Sequence, residues 1–289
     1  GEKFLRAYGT TPHPNILAAW LFLAVFAFFA WYLYGTQNKS SNNFVVNQPN
    51  THPKTPERGV EGRGWVVWLI YPTLLWGLFS TFSRVAIGLL FAGIVIRLLL
   101  VSLKKKKYNS VLIQDFKNKL WQLTVVTIAA IVIFGFFYWP QVQSRLFISA
   151  QEQAVTQRIF YAKTAGEMIW NQPWLGVGPG QFVGEIRSLW KNYPAYLYQP
   201  VHNIYLLIAD ELGLLGLAAF MLWLVFLIVE YCRKTKFQKL YHASFFIIFL
   251  SVLVMGLFDH FLWTLQQGQI IFWLTVGLIS ASGKPLEVV

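Results

Sequence analysis

WVVWLIYPTLLWGLFSTFSRVAIGLLFAGIVIRLLLVSLKKKK, Trp65 to Lys107, decides the fold. Two apolar runs, Trp65–Phe82 and Val85–Leu103, flank a Ser83-Arg84 turn with almost no loop, and four lysines follow. Each run approaches the roughly 20 apolar residues that cross a hydrocarbon core as a helix. Lipid offers backbone groups no outside partner, and the short alternating strands of a barrel are absent, so both runs are expected to be helical. The lysines mark the end that stays in the cytoplasm.

Working outward, further apolar runs lie at Ile16–Tyr34, Leu120–Trp139, Leu212–Val229 and Tyr241–Phe258. A shorter one at Gln269–Ala281 spans if its helix begins near Trp263. The expected fold is all-α: a polytopic membrane protein with about seven transmembrane helices and a helical extracytoplasmic loop. Composition agrees. The chain has 289 residues, 56% of them hydrophobic, 18% aromatic and only 12% charged, about half the charged share of a soluble domain. Mean hydropathy is +0.48. These values exclude a disordered chain and disfavour an ordinary soluble one. Cys232 is the single cysteine, so neither an intrachain disulfide nor a thiolate zinc cluster can form. The start at Gly1 does not read as a signal peptide and is expected to lack the natural N-terminus.

In a membrane chain the net charge of +12 is read first as positive-inside bias, with anionic-lipid or nucleic-acid binding by the lysine run as the alternative. Lys104–Lys107, Lys117 and Lys119 follow the third run, and Arg233, Lys234, Lys236 and Lys239 follow the fifth. Both groups are read as cytoplasmic topology anchors, which leaves Pro140–Asn203 outside with the Ser83-Arg84 turn, the N-terminal stretch and the Asp259-His260 turn. The polar stretch Gly35–Gly64 then reads as an inner flexible loop.

The outer segment is where chemistry is expected. Ser144–Trp170 reads as helical, with Ile159, Ala162, Ala165, Met168 and Ile169 at helical spacing, and Pro173 ends it. The glycine-rich PWLGVGPGQF, Pro173–Phe182, follows. No Gly-Lys-Ser/Thr follows it, so it is no Walker loop. It reads either as a turn packed on the membrane surface by Trp174 and Phe182 or as a ligand contact. His202 and Asn203 open the next helix, on which Gly213 and Gly216 permit close approach of a neighbour. A neutral imidazole at His202 can accept a proton near neutral pH. Arg84 and Arg158 are each either interface anchors or anion ligands, since a guanidinium fork suits phosphate oxygens. Arg97 is expected to snorkel to the cytoplasmic boundary. Asp259-His260 reads as a helix-end polar pair or a secondary site.

Together these pieces resemble the O-antigen ligase and polymerase superfamily of bacterial membrane glycosyltransferases. His202-Asn203, nine residues, then Gly213-Leu-Leu-Gly216 resembles the family's His-Asn-x9-Gly-x-x-Gly signature. NQPWLGVGPGQF, Asn171–Phe182, resembles its Pro-hydrophobic-Gly-x-Gly-x-Gly-x-Phe segment. TFSRVA, Thr81–Ala86, resembles Thr-x-Ser-Arg-Gly-Ala, with Val85 where glycine is usual. RAYGTTPHPNILA, Arg6–Ala18, resembles the start of an earlier family helix.

The resemblance implies a GT-C-like membrane domain covering 1–289, with 140–203 as its extracytoplasmic catalytic loop. Family members have about a dozen spans, so N-terminal helices are expected to be missing. It implies transfer of a glycan from an undecaprenyl-diphosphate carrier, at the outer face of the bacterial inner membrane, to a hydroxyl of lipid A core, a glycan repeat or a protein serine. It implies no cofactor, no metal and no nucleic-acid partner. His202 becomes the base candidate, and Arg84 and Arg158 the diphosphate ligands. Asn203, Gly178 and Gly180 become substrate contacts. A transporter, flippase or noncatalytic scaffold of polysaccharide assembly is the alternative. A transporter favours ionisable groups near the midplane, whereas these candidates gather at one face.

Overall fold

A computed structural model describes residues 6–7, 9–34, 64–102, 110–146, 153–235 and 240–281. The inner loop expected at Gly35–Gly64 falls almost wholly outside the described residues, as do Lys104–Lys107, Lys236 and Lys239.

The described residues form helices and no strand. In chain order these are α1 (Pro14–Tyr34), α2 (Gly64–Ser80), α3 (Arg84–Ser102), α4 (Ser110–Phe137), α5 (Trp139–Leu146), α6 (Gln153–Asn171), α7 (Phe182–Leu189), α8 (Ile204–Thr235), α9 (Leu240–Gly256), α10 (Phe261–Thr264) and α11 (Gln266–Ala281). Within them, Pro14–Leu33, Arg84–Ser102, Gln114–Phe137 and Ile204–Thr235 are long and apolar enough to cross a membrane, and Trp68–Ser80 and His242–Gly256 are shorter apolar helices. This is a multi-pass helical membrane protein. The last run is interrupted. α10 ends at Thr264, Leu265 is extended, and α11 starts at Gln266.

The chain divides into two compact units: residues 1–145 with 238–248, and residues 146–237 with 249–289. In the first, α1, α2, α3 and α4 bury an aromatic core. Phe134 on α4 is its hub, with ring centroids 5.2 Å from Trp76, 5.7 Å from Phe79 and 5.6 Å from Phe82. Arg97 corrects the snorkelling expectation. It is 2% exposed, hydrogen-bonds Ser244 Oγ, and sits over the rings of Phe26 and Phe29 with Cζ 5.9 and 5.3 Å from their centroids. The phase of α3 turns Arg97 inward, and two ring faces and a hydroxyl replace water around the guanidinium.

In the second unit, α6, α7 and the head of α8 bury Tyr161, Ala165, Met168, Phe182, Ile186 and Leu207 together. The buried stripe of α6 runs through Tyr161, Thr164, Ala165 and Met168, at helical spacing. Ile159, expected on that stripe, is exposed, because the true stripe begins two residues later. Helix is described only from Gln153, so the earlier part of the expected Ser144–Trp170 helix is α5 and residues outside the described set.

Candidate active site

In the first unit the candidate is Arg84, the first residue of α3. The turn before it is built from side chains. Thr81 Oγ1 donates to Leu78 O at 2.6 Å and accepts the Ser83 N–H at 3.2 Å. Phe82 adopts φ 49°, a left-handed conformation rare for a bulky residue, and its ring is buried against Phe134. Ring burial offsets the backbone strain. The N-terminal stretch locks the same turn. Arg6 Nε donates to Thr81 O at 2.7 Å, Arg6 reaches Asn15 Oδ1 at 3.1 Å, and Ala7 N–H donates to Ser80 O at 3.0 Å. Two stretches far apart in sequence therefore hold one turn. Arg84 is half-buried, with Nε and one terminal nitrogen out of solvent.

In the second unit the candidates are His202, Asn203, Arg158, Gly178 and Gly180. Asn203 Oδ1 accepts the N–H groups of Tyr205 at 2.9 Å and Leu206 at 3.1 Å, capping α8. His202 is thereby held just ahead of a fixed helix start. Its ring lies 6.0 Å from Tyr161, nearly stacked, and 5.2 Å from His260, edge to face. Tyr161 is in turn held by its hydroxyl, which donates to Leu197 O at 2.6 Å. Burial pushes its phenol above the ordinary value. His260 Nδ1 lies 2.6 Å from Thr264 Oγ1, and the His260 N–H donates to Asp259 Oδ1 at 2.8 Å. The Asp259-His260 turn is thus both a helix-end pair and a neighbour of His202. Its place beside His202 depends on a fold-back of the chain that local spacing does not reveal. Arg158 is exposed on α6, one turn before Tyr161.

The glycine segment is clamped to α8. Gly213 has φ 70° and ψ 178° and breaks that helix. The backbone groups it frees are taken by the loop: Leu214 N–H donates to Pro173 O at 2.7 Å, Val177 N–H to Asp210 O at 2.9 Å, and Gly178 N–H to Glu211 O at 3.0 Å. The two backbones touch. A Cβ on Gly213 would fall 2.1 Å from Trp174 O, and one on Gly176 would fall 2.3 Å from Asp210 O. These two glycines are therefore required by the clamp itself. Gly178 and Gly180 have φ 111° and 72° and shape the turn that leads into α7. Phe182 does not face a membrane surface, as the packed-turn reading expects, but is fully buried in the protein core, whereas Trp174 is 65% exposed, because the clamp seats its backbone and leaves its ring outside. Glu211 Oε2 accepts from Trp263 Nε1 at 3.4 Å, tying α10 to the same break. Among the described residues, no three His, Cys, Asp or Glu side chains are grouped to hold a metal ion.

A family model for O-antigen ligase matches residues 69–221, more than half of the chain. The chain belongs to the O-antigen ligase family. No curated protein shows a significant match. The matched region contains the Thr81–Arg84 turn of the first unit and the clamp, His202 and Gly213 of the second. The Arg6–Ala18 resemblance lies ahead of it, yet that stretch hydrogen-bonds the matched turn. As an O-antigen ligase family member the protein is a ligase-type glycosyltransferase of polysaccharide and lipopolysaccharide biosynthesis, acting in a membrane.

Proposed function

We propose that this protein takes a glycan from an undecaprenyl-diphosphate carrier at the outer face of the bacterial inner membrane and joins it to an acceptor hydroxyl. The observation that supports this reading best is the setting of His202: an imidazole fixed ahead of a capped helix, against Tyr161 and His260, within the family match. In the reaction His202 accepts the acceptor's hydroxyl proton as the oxygen attacks the anomeric carbon. The bond from that carbon to the diphosphate oxygen breaks, and the carrier diphosphate leaves with the electron pair. Arg84 and Arg158 bind the diphosphate and neutralise the charge that develops on it. A guanidinium can supply the electrostatic stabilisation that a divalent cation supplies elsewhere, so this mechanism calls for no metal. Asn203, at the capped helix start, and Gly178 and Gly180, in the glycine turn, are the further substrate contacts in this reading.

The test is glycan transfer in membranes from a purified undecaprenyl-diphosphate oligosaccharide, with the full-length protein and its Arg84→Ala and Arg158→Ala variants. Both variants are expected to lose most transfer while folding normally. Transfer at the parent rate by either variant would remove that arginine from the donor site.

A further inference from the structure

We infer that the tip of the glycine segment, with Trp170, Trp174 and Leu175, is seated in the headgroup–acyl boundary of the bilayer. This goes beyond the transfer reaction and does not depend on it. The three side chains are 85%, 65% and 77% exposed, a large apolar lip made by Trp170 near the end of α6 and by Trp174 and Leu175 between Gln172 and the turn glycines.

The clamp fixes the height of Trp174 and Leu175. Pro173 O accepts the Leu214 N–H, and Trp174 O lies against Gly213, so the lip cannot slide along α8. Gly213 is also where the surroundings of α8 change. Leu207, Ile208, Ala209, Asp210 and Glu211 before it are buried in protein. Beyond it Leu215, Leu222, Val225, Phe226 and Val229 are exposed, an apolar face suited to lipid. At the other end stand Arg233 and Lys234. From Leu214 to Arg233 the helix rises about 29 Å, close to the roughly 30 Å of a hydrocarbon core. With the cations at one boundary, the clamp falls at the other. Trp and Leu side chains projecting there match the amphipathic residues that anchor proteins at this depth. The lip continues the lipid-facing surface of α8, and the bilayer is its occupant.

The test places an environment-sensitive nitrobenzoxadiazole label at Leu175→Cys in a Cys232→Ser background, with the full-length protein in lipid nanodiscs. Leu222→Cys serves as the lipid-facing reference. The Leu175 label is expected to lose most of its fluorescence to lipids carrying doxyl near the headgroup, less to lipids carrying it deep in the acyl chain, and little to aqueous iodide. The Leu222 label should show the opposite depth preference. Free quenching of the Leu175 label by iodide would overturn the proposal, and so would protection from both lipid and iodide, which would mean a protein surface covers the lip. If Leu175→Cys does not fold, Trp170→Cys makes the same measurement from the end of α6.

Discussion

The Thr81–Arg84 turn and the Gly176–Gly213 clamp each hold a candidate site segment, by opposite means. In the first unit the locking is done by side chains. Thr81 and Arg6 bond the backbone, and a phenylalanine tolerates φ 49° because its ring is buried. In the second unit two backbones meet directly, and glycine is the residue that fits. Signature residues of one family thus include several that hold the chain, and a turn built from side chains should yield more gradually to substitution than a clamp with no room for a Cβ.

Substitutions can break or sharpen that contrast, the largest effect first. Gly213→Ala places a methyl group 2.1 Å from Trp174 O in a backbone region open almost only to glycine. It should destabilise the second unit by about 4 kcal/mol, seen as lost monodisperse protein on gel filtration in detergent. A well-folded variant with the parent melting temperature would refute the clamp. Phe82→Ala removes the buried ring that offsets the turn's strain, at a cost of about 3 kcal/mol, read as a lowered melting midpoint with the protein still recoverable. Gly180→Ala shares the positive φ but meets nothing within 4 Å. It should cost only about 1.5 kcal/mol, and a collapse as severe as that of Gly213→Ala would erase the distinction between strain and collision. Asn203→Ala loses the α8 cap for about 1 kcal/mol, and Asn203→Asp, whose oxygen can accept the same N–H groups, should restore most of the lost thermal stability.

The helices were legible in the sequence because hydropathy is a property of contiguous residues. Trp65–Leu103 announces α2, the Ser83-Arg84 turn and α3 with no knowledge of neighbours. Pairings across the chain were not legible. That Gly213 and Gly216 permit a close approach follows from their type, but that the neighbour is the Trp174 carbonyl depends on contacts between residues about 40 apart in sequence. Arg97 departs from its sequence expectation for the same reason: whether a cation near a helix end snorkels or turns inward depends on what faces it, here Phe26, Phe29 and Ser244. His202 was singled out by motif, while its contact with His260 needed the turn after α9 to bring the two rings together.

The most direct measurement compares glycan transfer with thermal stability in His202→Ala and Gly213→Ala. His202→Ala should keep the parent's melting behaviour and lose transfer by at least about 100-fold, whereas Gly213→Ala should lose stability and transfer together. Full transfer by a folded His202→Ala protein would contradict the account, since the one residue assigned to chemistry in the second unit's helix start would then serve only to hold the chain.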